Sequence, residues 1–244
     1  MHIQELKWYS DRLHRDMPLK IYGHAGKPCL VIPSQNGKYN DFEGFGMVEA
    51  CRPWIDEGKI RLFCVDTIDE ETVSCTWKNP QDRIEQHERW MQYLIQEVCP
   101  LINQYSSNAI GMTIGCSMGA YHAGNLFFRF PDRFDATICL SGVYDASSIL
   151  GGYMDGLVYL NSPCHCLQNM PADHPYMRLY ERSHMFFCVG QGAWEEELLA
   201  GTRKLDSILK AKGIPAWVDY WGYDVNHDWY WWKKQIAYFL GKIL

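Results

Sequence analysis

Nowhere in these 244 residues does an apolar run approach the roughly 18 that a membrane-crossing helix needs. The opening stretch Met1–Trp8 holds no apolar signal core, so the chain is expected to be cytoplasmic. Lysine and arginine number 23 against 29 acidic side chains, a net charge of −6, and no basic cluster breaks the balance. Neither nucleic acid nor a membrane surface is therefore an expected partner. No repeat period and no low-complexity linker divides the chain, which reads as one domain over 1–244. A metal is not expected either: Cys164-His165-Cys166 lacks a second ligand pair at zinc spacing.

What is present is a large apolar fraction, 47%, with 21% charged residues, which is globular composition. A chain this long buries roughly 70–75% of its surface without staples. Ten cysteines are scattered, most inside apolar runs such as Arg61-Leu62-Phe63-Cys64-Val65. That pattern fits reduced, buried thiols rather than a disulfide framework. Ten tryptophans are also present, five of them between Trp217 and Trp232.

Short β-rich runs alternate with helical patterns. Leu19–Tyr22, Cys29–Pro33, Ile60–Asp66, Ala109–Ile114, Ala136–Leu140, Met185–Val189 and Ala216–Trp221 read as strands. Phe42–Ile55, Asp82–Tyr105, Met118–Phe130, Glu196–Lys212 and Trp229–Leu240 read as helices, with Pro100 kinking or ending the second. The alternation predicts a mostly parallel sheet with helices on both faces. Residues 144–183 lack clear periodicity and are expected to form a cap or lid. From this insertion Tyr153, Met154 and Asp155 are candidate substrate-lining residues.

Gly115-Cys116-Ser117-Met118-Gly119 matches G-x-S-x-G. Three fixed residues recur by chance on the order of 0.1 times in a chain this long. The match falls between a strand and a helix, where a nucleophile elbow belongs. The turn strains the serine and leaves no room for side chains two residues either side, hence the glycines. The following helix presents its N-terminus and the Met118 N–H to a developing oxyanion.

A serine hydroxyl needs a base to take its proton. His227 alone among nine histidines lies between the last strand and the last helix, on the rim that carries Ser117. His122, five residues after Ser117, reads as packing. The acid is expected in the loop after Val189. Glu195 continues the line Leu198, Thr202, Leu205, Leu209 back by one turn, placing a carboxylate on a buried face where it needs a partner. Asp224 is the alternative acid, and Asp228 reads as the cap of the last helix. A second oxyanion donor is expected after the Cys29–Pro33 strand, with the Gln35 backbone the first choice.

Together these residues resemble the esterase-D-like branch of the α/β-hydrolases, which includes S-formylglutathione hydrolases, feruloyl and siderophore esterases, and mycolyltransferases of the antigen 85 type. The resemblance rests on Gly115–Gly119 with Met118 after Ser117, Phe130-Pro131-Asp132-Arg133-Phe134, and Leu140-Ser141-Gly142. It extends to Gly190-Gln191 with Trp194-Glu195, His227-Asp228-Trp229 with Trp232, and more loosely Ser74-Cys75-Thr76-Trp77. It implies an α/β-hydrolase fold and a Ser–acid–His hydrolase of esters or thioesters. The glutamate acid of the mycolyltransferase branch favours Glu195, and the family's donor loop favours the N–H of Gln35. Where the family has His-Gly at the strand end, this chain has Pro33-Ser34.

The expected function is a serine carboxylesterase acting on a small ester through Ser117, Glu195 and His227, with no cofactor. An acyltransferase on the same triad and a catalytically silent binding module are the alternatives. A homo-oligomer stays open.

Overall fold

The structure, a computed structural model, describes residues 1–106 and 110–244. Eight strands form one sheet in the order β1-β2-β4-β3-β5-β6-β7-β8. The strands are β1 Ile3–Ser10, β2 Arg15–Tyr22, β3 Lys27–Ile32, β4 Ile60–Val65, β5 Gly111–Cys116, β6 Phe134–Leu140, β7 His184–Val189 and β8 Trp217–Tyr220. Only β1–β2 and β2–β4 are antiparallel; every later pairing is parallel. The expected start of the fifth strand at Ala109 lies outside the described residues.

Strand β1 gave no signal in the sequence for a physical reason. Its inward positions are Gln4, Leu6, Trp8 and Ser10, two of them polar. Their partners are polar too: Gln4 donates to Tyr105, and Trp8 and Ser10 both donate to Glu97.

Helices cover both faces. On one, α2 (Met47–Asp56) and α11 (Trp229–Ile243) bury Cys51, Ile55, Ile236 and Phe239 against the strands. On the other lie α3 (Pro80–Tyr93), α4 (Cys99–Tyr105), α5 (Met118–Arg129) and α10 (Glu196–Lys212). Strand residues alternate between the two cores, Leu30 and Ile32 to one, Cys29 and Val31 to the other. The expected helix over 42–55 is divided into α1 (Asp41–Gly44) and α2, with Gly46 left-handed between them at φ 79°. The expected helix over 82–105 is interrupted by a π-helical turn at Leu94–Val98, after which Pro100 sits in the first turn of α4. A first-turn proline has no intrahelical donor to lose, so the helix restarts without penalty.

The 144–183 segment contains four short helices rather than structureless loop: α6 (Ala146–Ile149), α7 (Gly156–Leu160), α8 (Pro163–Asn169) and α9 (Pro175–Tyr180). They are fastened to the body by polar contacts. Asn161 donates to Glu88 and accepts from Arg129 and Asn125, and Arg129 grips Glu88 with both amino groups. Arg83 reaches the carbonyls of Thr72, Val73 and Ile149.

All ten cysteines are free, and all but Cys166 are buried. Five neighbouring strands, β4, β3, β5, β6 and β7, carry one each: Cys64, Cys29, Cys116, Cys139 and Cys188. Burial pushes each of these thiols above its ordinary value, so they stay protonated. Among the described residues, no helix is long and apolar enough to cross a membrane.

Candidate active site

The carboxyl ends of five adjacent parallel strands deliver the candidate residues to one rim: β3 the Ser34–Asn40 loop, β5 Ser117, β6 Ser141, β7 the loop to Glu195, and β8 the loop to His227. Such a crevice is where open α/β sheets place ligands.

Ser117 has φ 57° and ψ −124°, a conformation that strains any residue with a side chain. Its N–H is tied to Leu140 O at 2.8 Å. The flanking glycines are required by contact. A Cβ on Gly115 would stand 2.0 Å from Gly119 O, and one on Gly119 would stand 2.4 Å from the carbonyl oxygens of Ile32 and Pro33. The second figure shows that the β3 loop lies directly against the elbow. Helix α5 begins at Met118, so its first N–H groups have no intrahelical acceptor.

His227 Nε2 lies 2.9 Å from Ser117 Oγ, and its Nδ1 lies 3.4 Å from Glu195 Oε2. The second separation is an ion-pair distance, longer than the usual N–H···O range of about 2.7–3.2 Å. Among the described residues, neither Nδ1 nor Oε2 has a hydrogen-bond partner. Catalytic hydrogen bonds often tighten only once substrate binds. Glu195 is 1% exposed. Its Oε1 accepts from Ser141 Oγ at 2.6 Å, and Ser141 Oγ accepts from Trp232 Nε1 at 3.1 Å. The Trp232 ring also meets the His227 ring edge to face, centroids 4.8 Å apart and planes at 89°. A buried carboxylate thus has one oxygen satisfied and the other aimed at the imidazole.

The loops that carry Glu195 and His227 are clasped together, mostly through backbone groups. Gly192 N–H donates to Val225 O, Ala193 N–H to Asn226 Oδ1, and His227 N–H to Ala193 O. A Cβ on Gly190 would meet Val225 O at 2.1 Å. Asp224 is exposed, and Asp228 caps α11 by accepting from Trp231 N–H.

Gln35 sits in a turn closed by Gly37 N–H to Ser34 O at 2.8 Å, with Asn36 left-handed at φ 59°. Its side chain donates to Ser74 Oγ at 2.9 Å. Of the candidate lining residues, Tyr153 packs on the same small apolar cluster as Met118. Asp155 is occupied as the cap of α7, accepting from Val158 N–H and from the Tyr153 hydroxyl. Met154 is 43% exposed. In Cys164-His165-Cys166, the His165 ring bonds Ser162 and the Cys166 thiol donates to Tyr159 O.

The esterase family model, described as "Putative esterase", matches residues 10–243. The chain belongs to this esterase family. Its mostly parallel eight-stranded sheet flanked by helices is an α/β-hydrolase fold. No curated protein matches it in sequence. Solved structures similar to this esterase include an S-formylglutathione hydrolase from Agrobacterium tumefaciens, with TM-score 0.79 and 15% identity over 98% of this chain and 93% of that one. A ferulic acid esterase has TM-score 0.77 and 14% identity over 100% and 99%. MPT51 from Mycobacterium tuberculosis has TM-score 0.73 and 15% identity over 100% and 98%.

Two features of the esterase escaped sequence reasoning. Ser141, left-handed at φ 55°, stood out only as part of a resemblance, because a serine after a strand has no pattern of its own. Asp69 accepts from His122 Nε2 at 3.0 Å and from Asn36 N–H at 3.1 Å, linking three distant stretches of sequence. The only available hint was a histidine inside an apolar helix. Trp194, the neighbour of Glu195 in sequence, is 82% exposed and left-handed at φ 66°. The indole that meets the His227 ring is Trp232.

Proposed function

We propose that the chain hydrolyses small carboxylic esters or thioesters through a Ser117–His227–Glu195 triad and an acyl-enzyme. The observation that carries this is the His227 ring, with one nitrogen 2.9 Å from Ser117 Oγ and the other facing buried Glu195. Ser117 Oγ attacks the acyl carbon while His227 Nε2 takes its proton. The tetrahedral oxyanion is held by the N–H of Met118 and the N–H of Gln35. Collapse breaks the bond to the leaving alcohol or thiol, which takes the proton from His227. Water repeats the sequence and frees the acid. Glu195 fixes the tautomer of His227 and stabilises its cation.

The proximity of the Tyr153 and Met118 contacts favours an acyl group lying over that apolar cluster. The chain works as a single domain with 144–183 as its cap. Ten free cysteines suit the reducing cytoplasm. Ser117→Ala is expected to abolish hydrolysis of p-nitrophenyl acetate and labelling by a fluorophosphonate. Wild-type turnover by that variant would refute the triad. Transfer of the acetyl group to added alcohols, in preference to water, would instead mark an acyltransferase.

A further inference from the structure

We propose that Asp69 is a positioning residue for the oxyanion hole, holding the Gln35 donor at a fixed distance from Ser117 by tying both to one buried carboxylate. The inference rests on the reading of Gln35 as a donor.

Asp69 opens the short turn Asp69–Glu71 and is 2% exposed. An ionised carboxylate there is costly unless its oxygens are satisfied. Each oxygen has a partner from a different part of the site. Oδ1 faces Nε2 of His122, itself fully buried in α5, the helix that begins at the nucleophile. Oδ2 accepts the N–H of Asn36, the residue after Gln35. Among the described residues His122 Nδ1 has no hydrogen-bond partner, so the tautomer that leaves no buried N–H unpaired puts the proton on Nε2, pointing at Asp69.

The Asn36 contact acts on the hole because of the turn geometry. Ser34–Gly37 is a closed turn whose third residue, Asn36, is left-handed. The direction of the Gln35–Asn36 peptide is what separates turn types, and a charge-assisted acceptor on Asn36 N–H fixes that direction. The rest of the 66–74 segment grips the same loop. Asp66 accepts from Tyr39 N–H at 2.7 Å, Thr67 donates through N and Oγ1 to Gly37 O, and Ser74 takes the Gln35 side chain. Asp69 extends that grip by a hydrogen bond to the nucleophile's helix. A donor N–H set from a helix and a separate loop must keep its place to within a few tenths of an ångström, and Asp69 joins the two.

The test uses the full chain with p-nitrophenyl acetate and a trifluoromethyl ketone that adds to Ser117 and places its oxyanion in the hole. Asp69→Ala is expected to lower kcat about 10–100-fold with KM within twofold, and to weaken the ketone by the same factor. Asp69→Asn, whose amide oxygen still accepts from Asn36, is expected to recover most of both losses. Asp69→Ser, too short to span both partners, replaces alanine if that chain does not fold. Unchanged kcat in a folded Asp69→Ala or Asp69→Ser chain overturns the inference. So does an Asn variant as inactive as the Ala one, or a kcat loss without weakened ketone binding. Gln35→Pro separates this from the underlying reading, since it deletes the donor at a turn position that tolerates proline. If that variant keeps full activity, the donor and the inference both fall. If it is inactive beside a fully active Asp69→Ala, only the inference falls.

Discussion

Glu195 is buried, and its two oxygens meet different partners. Oε1 is held by Ser141, whose own lone pair is taken by Trp232, and Oε2 faces His227. Glu195→Gln keeps the volume but removes the charge that favours the imidazolium. If the proposed triad holds, it lowers kcat about 10³–10⁴-fold, as loss of a triad carboxylate does, with a thermal midpoint near wild type. Ser141→Ala deletes a hydrogen bond to a buried charge, worth about 1.5–3 kcal/mol, and loosens the carboxylate. Expected are a lower thermal midpoint and a kcat reduced about tenfold at unchanged KM. Glu195 could be singled out from sequence because it continues the apolar line of α10 by one turn, and a charge on such a line asks for a reason. Ser141 could not, since its role depends on two side chains 54 and 91 positions away.

Between elements, closeness of backbone decides what the chain tolerates. Gly190 and Gly192 let the loop after β7 touch the loop before α11. Gly190→Ala would drive a methyl into Val225 O, at a cost of about 1–3 kcal/mol in strain. Because the clasp sets the distance between Glu195 and His227, activity is expected to fall further than stability, which paired melting and kinetic measurements would show. The 144–183 segment is fastened differently, in part by the Glu88–Arg129–Asn161 network. Arg129→Met leaves Glu88 partly buried without its cation and is expected to cost about 2–3 kcal/mol, between the values for exposed and buried pairs. Hydrogen exchange should rise first in α7 and α8. The parallel strands were legible because their apolar runs are nearly unbroken. The short helices of 144–183 were not, because four to seven residues bury too few apolar side chains each, such as Val158 in α7 or Met177 and Tyr180 in α9, to show a helical period.

For the molecule as a whole, acid is the condition to which it is built to be sensitive. Burial pushes the His87 imidazole well below its ordinary value, with neighbouring His122 adding to the shift, so the folded chain keeps it neutral. The unfolded chain protonates near pH 6.5. Stability from this group is therefore complete above pH 6.5 and falls by about 1.4 kcal/mol for each pH unit below it. Burial opposes the charge on Glu88 and Asp145, but Arg129 and Lys204 outweigh it and hold both carboxyls at about 2. Their contribution is present above pH 4.5 and is lost toward pH 2. Denaturant midpoints should decline from pH 6.5 downward, and His87→Phe should flatten the curve between 6.5 and 5 while leaving the steeper fall below. The buried thiols have another use. Each of five neighbouring strands has its own sulfur, silent while the sheet is closed. The chain is thus a row of strand-resolved gauges: pulse alkylation read by peptide mass should label Cys166 first and the five strand thiols only as each strand opens, mapping the order in which the sheet comes apart with no label engineered in.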